Sequence, residues 1–447
     1  MTGRLSIEFL RRRATRCGIG MVLLLGTVAA IGGPWTYVSW QLYEARANIV
    51  RGDISEAHER LQSAERWQPD RSETLYLLAR ACRRAGQLDR AESYLQRAAK
   101  CGWPDAELLR ERQLALVQSG RFDQARAFLD RVLRTGATDD VAEEVYEAQA
   151  KGLLLTYRLS EAVVCLKFWI EWRPAAVKPR MWLADVWERS DRWQLAANEY
   201  QSVLHIDGRR YDAHLKLADN LLHLNNVQTA LSHYEACLQN DPADGAALLG
   251  AARCRRRLGM PDEAIRELER LLEHRLTSVQ RADALVELAQ LALDTRRPKQ
   301  ALVRLEEALE LEPGHQMVHS TLSSVYAKLG RVDLAERHLR EADEIKRRFD
   351  RLTEITGLLT ESPGDADLRF EAGSILMQQG LKEAGAEWLA TALLFNSRHQ
   401  PAHTMLAEYF AQCGDAARSE HHRQMLTSDE GVGADLPSPN HCRESQE

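Results

Sequence analysis

The chain has 447 residues, of which 45% are hydrophobic and 28% are charged, so it is too apolar for a disordered chain. Its 59 basic and 65 acidic residues give a net charge of −6, which lacks the basic excess typical of a nucleic-acid binder. We therefore expect no nucleic-acid partner. The length corresponds to about three ordinary domains or to one long repeat array.

The N-terminal region combines a basic tail with an uncharged apolar segment. Residues 1–16 carry five arginines and one glutamate, and we interpret them as a cytoplasmic basic tail. Residues 17–43 contain no charged side chain, and about 20 apolar residues in a helix span a bilayer. We therefore predict a transmembrane helix at 17–40. Because the arginines lie on one side only, the positive-inside rule places the remainder outside the cytoplasm, in the periplasm or an equivalent compartment.

A cleaved signal peptide is the alternative for this segment. The strongly apolar part is only Ile19–Ile31, which suits a signal-peptide core with cleavage near Ala30. An uncleaved anchor is also compatible, since Gly and Pro are tolerated in spanning helices. The aromatic residues that follow fit the headgroup level of a bilayer, namely Trp35, Tyr37, Trp40 and Tyr43. Both interpretations export the rest of the chain.

One pattern recurs from residue 38 onward. A turn residue, often Gly, is followed five positions later by a small residue. The small residues are Ala57, Ala91, Ala125, Ala162, Ala196, Ala230, Ala264, Ala301, Ala335, Gly385 and Ser419. Seven of the ten successive spacings equal 34 residues. Asp191, Asn225 and Arg296 stand at the turn position where other repeats have Gly. The pattern predicts eleven repeats of two helices joined by a tight turn.

The 34-residue period with Ala at these offsets resembles the tetratricopeptide repeat family over residues 38–426. The resemblance implies an all-α, right-handed α-solenoid of about eleven helix-turn-helix repeats, here preceded by one transmembrane helix. It also implies that the first helices of the repeats line a concave groove for protein or peptide partners. A lone helix pair cannot bury its apolar face, so the repeats must stack.

Two arginine-rich clusters face this groove in the register of the family. The first cluster consists of Tyr76, Arg80, Arg83 and Arg84 in the second repeat. The second cluster consists of Leu249, Arg253, Arg256 and Arg257 in the seventh repeat. Arginine can hold a carboxylate with two parallel hydrogen bonds. We therefore expect both clusters to bind acidic or C-terminal groups of a partner. The alternative is a solvated, ion-paired surface.

The repeat is interrupted once, where the spacing is 50 residues instead of 34. Apolar residues recur there every three or four positions through 336–359, which predicts one overlong second helix. This helix ends the first nine repeats, at 38–361, and a C-terminal pair follows at 362–426. The extra length predicts either a local bend or a surface for self-association through 336–359. Residues 427–447 have the polar composition of a disordered tail.

The sequence contains only weak signals for a metal site, a redox site or a catalytic site. His315 and His319 have the spacing of two ligands on one helix face, as do His399 and His403, but neither pair has the HExxH glutamate. No CxxC occurs among the eight cysteines. Cys237 and Cys254 lie on neighbouring helices and form either a disulfide or two buried thiols. We expect no metal, no cofactor and no enzymatic activity.

The sequence thus predicts a membrane-anchored scaffold that assembles envelope proteins by binding extended segments or helices in its groove. An envelope assembly chaperone that binds client peptides transiently is the alternative function.

Overall fold

A computed structural model of the chain describes residues 35–135 and 139–427. These residues form 22 helices, and no strand occurs among them. None of these helices is both long and apolar enough to cross a bilayer. The predicted basic tail, most of the predicted membrane helix at 17–40 and the tail after Thr427 lie outside the described residues.

The described chain divides into two compact bodies. The boundary follows Leu116, and the N-terminal body contains most of the first five helices. They are α1 (35–51), α2 (Ile54–Trp67), α3 (Ser72–Arg84), α4 (Leu88–Lys100) and α5 (Asp105–Gln118). Their core is a continuous cluster in which Leu42 and Ile49 of α1 meet Leu61 and Leu75.

Helix α1 is amphipathic in an unusual way, because its solvent face is aromatic. Val38, Leu42 and Ile49 bury one side of the helix in the N-terminal core. On the other side Trp40 is 51% exposed and Tyr43 is 70% exposed. All four aromatic residues predicted for the headgroup level therefore lie in the first helix of the first repeat.

The C-terminal body contains seventeen described helices. They are α6 (Phe122–Thr135), α7 (Asp139–Leu155), α8 (Leu159–Trp172), α9 (Val177–Arg189), α10 (Trp193–Ile206), α11 (Tyr211–His223), α12 (Val227–Asn240), α13 (Gly245–Arg257), α14 (Pro261–Leu272), α15 (Ser278–Asp294), α16 (Pro298–Leu311), α17 (Gln316–Lys328), α18 (Val332–Glu361), α19 (Ala366–Gln378), α20 (Lys382–Phe395), α21 (Gln400–Gln412) and α22 (Ala416–Thr427). The small residues of the repeat lie buried where paired helices touch, as Ala196, Ala230 and Ala301 illustrate. This close packing explains why larger side chains are absent from those positions.

The turn between the two helices of each repeat requires a left-handed residue. The residue five positions before each small residue has positive φ in all eleven repeats. Glycine supplies this conformation in seven of them. The other four are Tyr157 (φ 57°), Asp191 (φ 54°), Asn225 (φ 59°) and Arg296 (φ 57°). A side chain with a Cβ is strained in this region, least so in Asn and Asp.

Replacing Arg296 with glycine should therefore raise stability. Arg296 is exposed, so its side chain contributes little to packing. Relief of the left-handed strain is expected to raise the free energy of unfolding by about 1 kcal/mol. Urea unfolding measures the change. Arg297→Gly is the matched control, because Arg297 has φ −115° and gains nothing from glycine. An Arg296→Gly protein no more stable than the parent would contradict the strain argument.

Helix α18 is far longer than its counterparts. It has 30 residues, whereas the second helices of its neighbours have 14. Near its C-terminal end, Ile355 and Leu359 are fully buried in a core that also contains Leu153 and Leu166, about 200 positions earlier in the chain. The extra length thus carries the next repeat back onto α7 and α8.

The middle of α18 remains open to solvent. Leu339 is 49% exposed and Phe349 is 40% exposed, because the following repeat packs farther along the helix. Self-association through 336–359 stays a prediction, and these two side chains, together with Leu358 at 38% exposure, are available for it.

Candidate functional site

The first arginine cluster is largely a buried network within the N-terminal body. Arg83 Nε donates a hydrogen bond of 2.6 Å to a Glu111 carboxylate oxygen, and both side chains are 1% exposed. Arg84 donates to the Ile49 carbonyl. Tyr76 stacks on Trp103 with ring centroids 4.8 Å apart. These contacts join α3 to helices on both sides of it.

The electrostatics of this cluster are those of a helix-packing contact. Burial, together with the Glu111 carboxylate, raises the pKa of Tyr76 to about 12. Arg80 is the half-buried member, and it too has a partner. The register of the repeat family predicted which face of α3 these residues occupy. It did not reveal that Glu111 of α5 neutralises Arg83 from the next repeat.

The second arginine cluster lies nearer the surface, on α13. Arg253 Nε donates to a Glu287 oxygen at 2.8 Å, and Arg256 Nε donates to the other oxygen at 3.1 Å. Glu287, which lies on helix α15, therefore bridges the two arginines of α13. Leu249 is almost fully buried beneath them. Desolvation alone would lower the pKa of Arg253, but Glu287 outweighs it, so the pKa lies above its ordinary value.

Arg257 differs from the other members of the second cluster. Its side chain is exposed, and Nη1 donates only to the Leu222 carbonyl, at 3.3 Å. Among the described residues it forms no ion pair with a carboxylate. The end of α13 thus presents one guanidinium whose charge is not neutralised by the chain itself.

A second feature arises where the overlong helix brings α20 against α7 and α9. Arg369 of α19 is fully buried, and its Nη2 donates at 2.5 Å to the carbonyls of both Thr156 and Pro363. Tyr157 and Trp388 pack together with ring centroids 5.6 Å apart. We call this set of interactions, with Ile355 and Leu359, the closing contact.

A cavity of about 420 Å³ lies beside the closing contact. Its aromatic walls are Tyr157, Trp182 and Trp388. Its charged lining consists of Lys151, Asp185, Arg189 and Glu387. No sequence motif predicts this cavity, because none indicates that Trp388 of α20 meets Tyr157 after α7.

Comparison with known sequences decides the family. Sequence models of the family described as tetratricopeptide repeat match residues 51–109, 222–291 and 292–354, and a second model with the same description matches residues 85–141. The chain belongs to the tetratricopeptide repeat family. No curated protein matches the chain in sequence.

Several solved structures resemble the chain at low similarity. The human IFIT1 dimer with PPP-AAAA is 16% identical, with 79% of this chain and 89% of that chain covered and a TM-score of 0.36. The APC/C hetero-tetramer Cut9–Hcn1 is 15% identical, with 95% and 92% covered and a TM-score of 0.33. YrrB, described as having an unusual peptide-binding site, is 21% identical, with 46% and 96% covered and a TM-score of 0.28. These values are too low to transfer any property of those proteins.

The histidines of this tetratricopeptide repeat chain form helix-to-helix pairs. In three repeats a first-helix histidine lies with its Nδ1 next to the Nδ1 of a second-helix histidine. The pairs are His214–His233 at 2.8 Å, His319–His338 at 3.1 Å and His403–His422 at 2.9 Å. Each first-helix ring also places Nε2 against a backbone carbonyl, at Gly208, Pro313 and Ser397.

This bonding determines the tautomers. Because Nε2 of each first-helix histidine donates to a carbonyl, its Nδ1 accepts, and the second-helix histidine donates its Nδ1–H. The recurrence of His214, His319 and His403 in one repeat position is thus a packing device. Within the described residues, no three His, Cys, Asp or Glu side chains are placed to hold a metal ion.

The cysteine pair of the tetratricopeptide repeats is reduced in this structure. Cys237 and Cys254 are both free and buried, and Cys237 Sγ donates to the Tyr211 carbonyl at 3.4 Å. Burial raises the pKa of these thiols to about 11 and about 12, respectively. The sequence left a disulfide and two buried thiols as alternatives, and the structure has two buried thiols.

Proposed function

We propose that the chain is a membrane-tethered scaffold that binds acidic segments of envelope proteins and holds them near the bilayer. Tetratricopeptide repeat membership supports a role in protein–protein interaction without catalysis. The observation that carries the choice of partner is Arg257, an exposed guanidinium without a carboxylate partner beside the ion-paired Arg253 and Arg256.

A partner carboxylate would add to this surface without breaking it. Arg257 can take the carboxylate in a bidentate geometry, while Arg253 and Arg256 keep Glu287 as their shared partner. In the first cluster, Arg83 and Arg84 are bound within the N-terminal body, so we propose that they and Tyr76 position Arg80 for the same kind of contact.

The membrane tether is proposed from the sequence before residue 35 and from α1. The uncharged segment 17–34 leads directly into a helix whose solvent face carries Trp40 and Tyr43. Amphipathic aromatic rings settle at the headgroup level of a bilayer. A repeat array tethered in this way begins at the membrane surface with almost no linker.

Reversing the charge of Arg257 is expected to weaken partner capture. The test is crosslinking of the full chain in intact membranes, followed by affinity capture and mass spectrometry. Loss of a charge-assisted, bidentate contact costs about 2 kcal/mol, so Arg257→Glu should lower partner recovery roughly ten-fold or more. Arg266→Glu is the matched control, because Arg266 is an exposed arginine on the second helix α14.

The same captured sample separates the remaining alternatives. One dominant partner at constant ratio supports the scaffold, whereas many substoichiometric clients support an assembly chaperone. A membrane-bound protein that still contains the peptide Met1–Arg16 supports the tether, and a mature chain beginning at Ile31 supports cleavage. Equal capture by the parent and Arg257→Glu proteins would contradict the proposed binding surface.

A further inference from the structure

The lining of the cavity beside the closing contact includes one carboxylate that has no cationic partner among the described residues. Lys151 Nζ lies 3.0 Å from a Glu147 oxygen, and Arg189 Nε lies 2.9 Å from an Asp185 oxygen. Glu147 is shared with Lys178, whose Nζ lies 3.2 Å from its other carboxylate oxygen. Glu387 forms no hydrogen bond or ion pair with any described residue, and desolvation by burial raises its pKa. The pairing therefore leaves a single carboxylate facing this space.

The walls of the cavity are suited to a cation. Trp182 already has a cation near its ring, since Lys151 Nζ lies 5.8 Å from the ring centroid. Tyr157, in the turn between α7 and α8, and Trp388 of α20 form a second aromatic surface, with their rings tilted by 43° to each other. Aromatic faces attract cations through the ring quadrupole, and a carboxylate adds a direct partner.

The volume excludes some ligands and admits others. A cavity of about 420 Å³ is large enough for a long side chain with part of its backbone, and lies within the range typical of small-ligand sites. Arginine matches the lining better than lysine. Its planar guanidinium can stack on an aromatic face while donating two hydrogen bonds to one carboxylate.

We infer that this cavity binds an arginine side chain of a partner peptide, with Glu387 as the carboxylate partner and Trp182 and Trp388 as the stacking surfaces. The inference rests on the proposed peptide-binding function and adds a basic anchor to the acidic group bound at Arg257. A partner segment would then carry opposite charges at its two contact points.

The test uses small probes of matched shape. The full chain is labelled with 5-fluorotryptophan, and Trp182→Phe and Trp388→Phe assign the two fluorine resonances. N-acetyl-arginine methylamide is titrated against the neutral isostere N-acetyl-citrulline methylamide. We expect the arginine probe to shift both resonances, with a dissociation constant in the millimolar range typical of a single side chain. The citrulline probe should bind about ten-fold more weakly or not at all.

Substitution of the carboxylate provides the second arm. Glu387→Gln is expected to weaken the arginine probe by about ten-fold while leaving the melting temperature nearly unchanged. Glu383→Gln on the same helix is the control, because Glu383 is exposed like Glu387 but lies outside the cavity lining. Equal binding of arginine and citrulline would overturn the inference even if the Glu387 variant failed to fold.

An anionic ligand is the competing outcome, since Lys151 and Arg189 also line the space. Preferential shifts with N-acetyl-glutamate methylamide would assign the cavity to anions and overturn the inference. A failure of arginine binding in the cavity can be distinguished from a failure of the proposed scaffold function. Partner capture that depends on Arg257, without any arginine response at Trp182 or Trp388, would retain the scaffold and reject this cavity as its anchor.

Discussion

Replacing Arg369 with methionine is expected to destabilise the C-terminal body by about 2–4 kcal/mol. The guanidinium is fully buried, and burial lowers its pKa to about 10, so it is charged at neutral pH. It donates to the carbonyls of Thr156 and Pro363 and lies over the Phe395 ring at 4.6 Å. Methionine fills much of the volume but leaves both carbonyls without this donor, which is the costly case for buried polar groups.

Amide hydrogen exchange should show which helices lose protection when Arg369 is replaced. In an ordinary repeat array, a defect in one repeat loosens that repeat and its neighbours. Here we expect faster exchange in α7 and α8 as well as in α19 and α20, because the closing contact joins them. Arg398→Met is the matched control, since Arg398 is exposed in the loop after α20 and should change stability by less than about 0.5 kcal/mol. Unchanged protection in α7 and α8 would disprove a stabilising role for the closing contact.

Acidification is expected to loosen the last repeat through His422. Burial, followed by the nearby His403, lowers the pKa of His422 to about 3, well below its ordinary value of 6.5. A histidine whose folded pKa is depressed binds protons more readily when unfolded. Its contribution to stability is therefore complete above about pH 6.5 and is lost as the pH falls from there towards 3. At pH 5 the loss is about 2 kcal/mol for this one group.

Urea unfolding and exchange of α21 and α22 at pH 7.5 and 5 would measure this loss. His422→Asn retains an N–H donor for His403 Nδ1 but cannot titrate, so the pH dependence should shrink by about 2 kcal/mol. His205→Asn is the control, because His205 is exposed on α10. A His422→Asn protein as acid-sensitive as the parent would show that the loss arises elsewhere. The pKa of His233 and that of His338 are also lowered by burial, so smaller effects in their repeats are expected over the same range.

The repeat architecture was predictable because each repeat carries its own local sequence signals, namely a turn residue and a small residue at fixed spacing. The 34-residue spacing identified ten of the eleven left-handed turn residues, including Asp191 and Arg296, where no glycine signals the turn. Tyr157 was not recognised as a turn residue, because a tyrosine gives no local sign of positive φ. The family register also indicated the helix faces of both arginine clusters, since a face follows from periodicity alone.

The partners across repeats were not predictable. Arg83 faces its predicted direction but is neutralised by Glu111, and periodicity does not show which charge a neighbouring helix supplies. The apolar positions of the overlong helix were evident, yet Ile355 and Leu359 would show the same pattern in a dimer surface as in a contact with Leu153. Position 369 lies 213 residues from Thr156, and no local pattern signals a contact over that separation.

The closing contact has a consequence for how this chain can evolve. An open repeat array can gain or lose one repeat by duplication or deletion, because each repeat contacts only its neighbours. Removal of a 34-residue repeat between Thr156 and Pro363 would carry the guanidinium away from the Thr156 carbonyl and leave it only its local acceptor at Pro363. The number of repeats between Thr156 and Arg369 is therefore fixed. Repeats can be added before α7 or after α20 without breaking the hydrogen bond between Arg369 and the Thr156 carbonyl. Sequence variants of differing length should thus keep the distance from the tyrosine turn to the buried arginine constant.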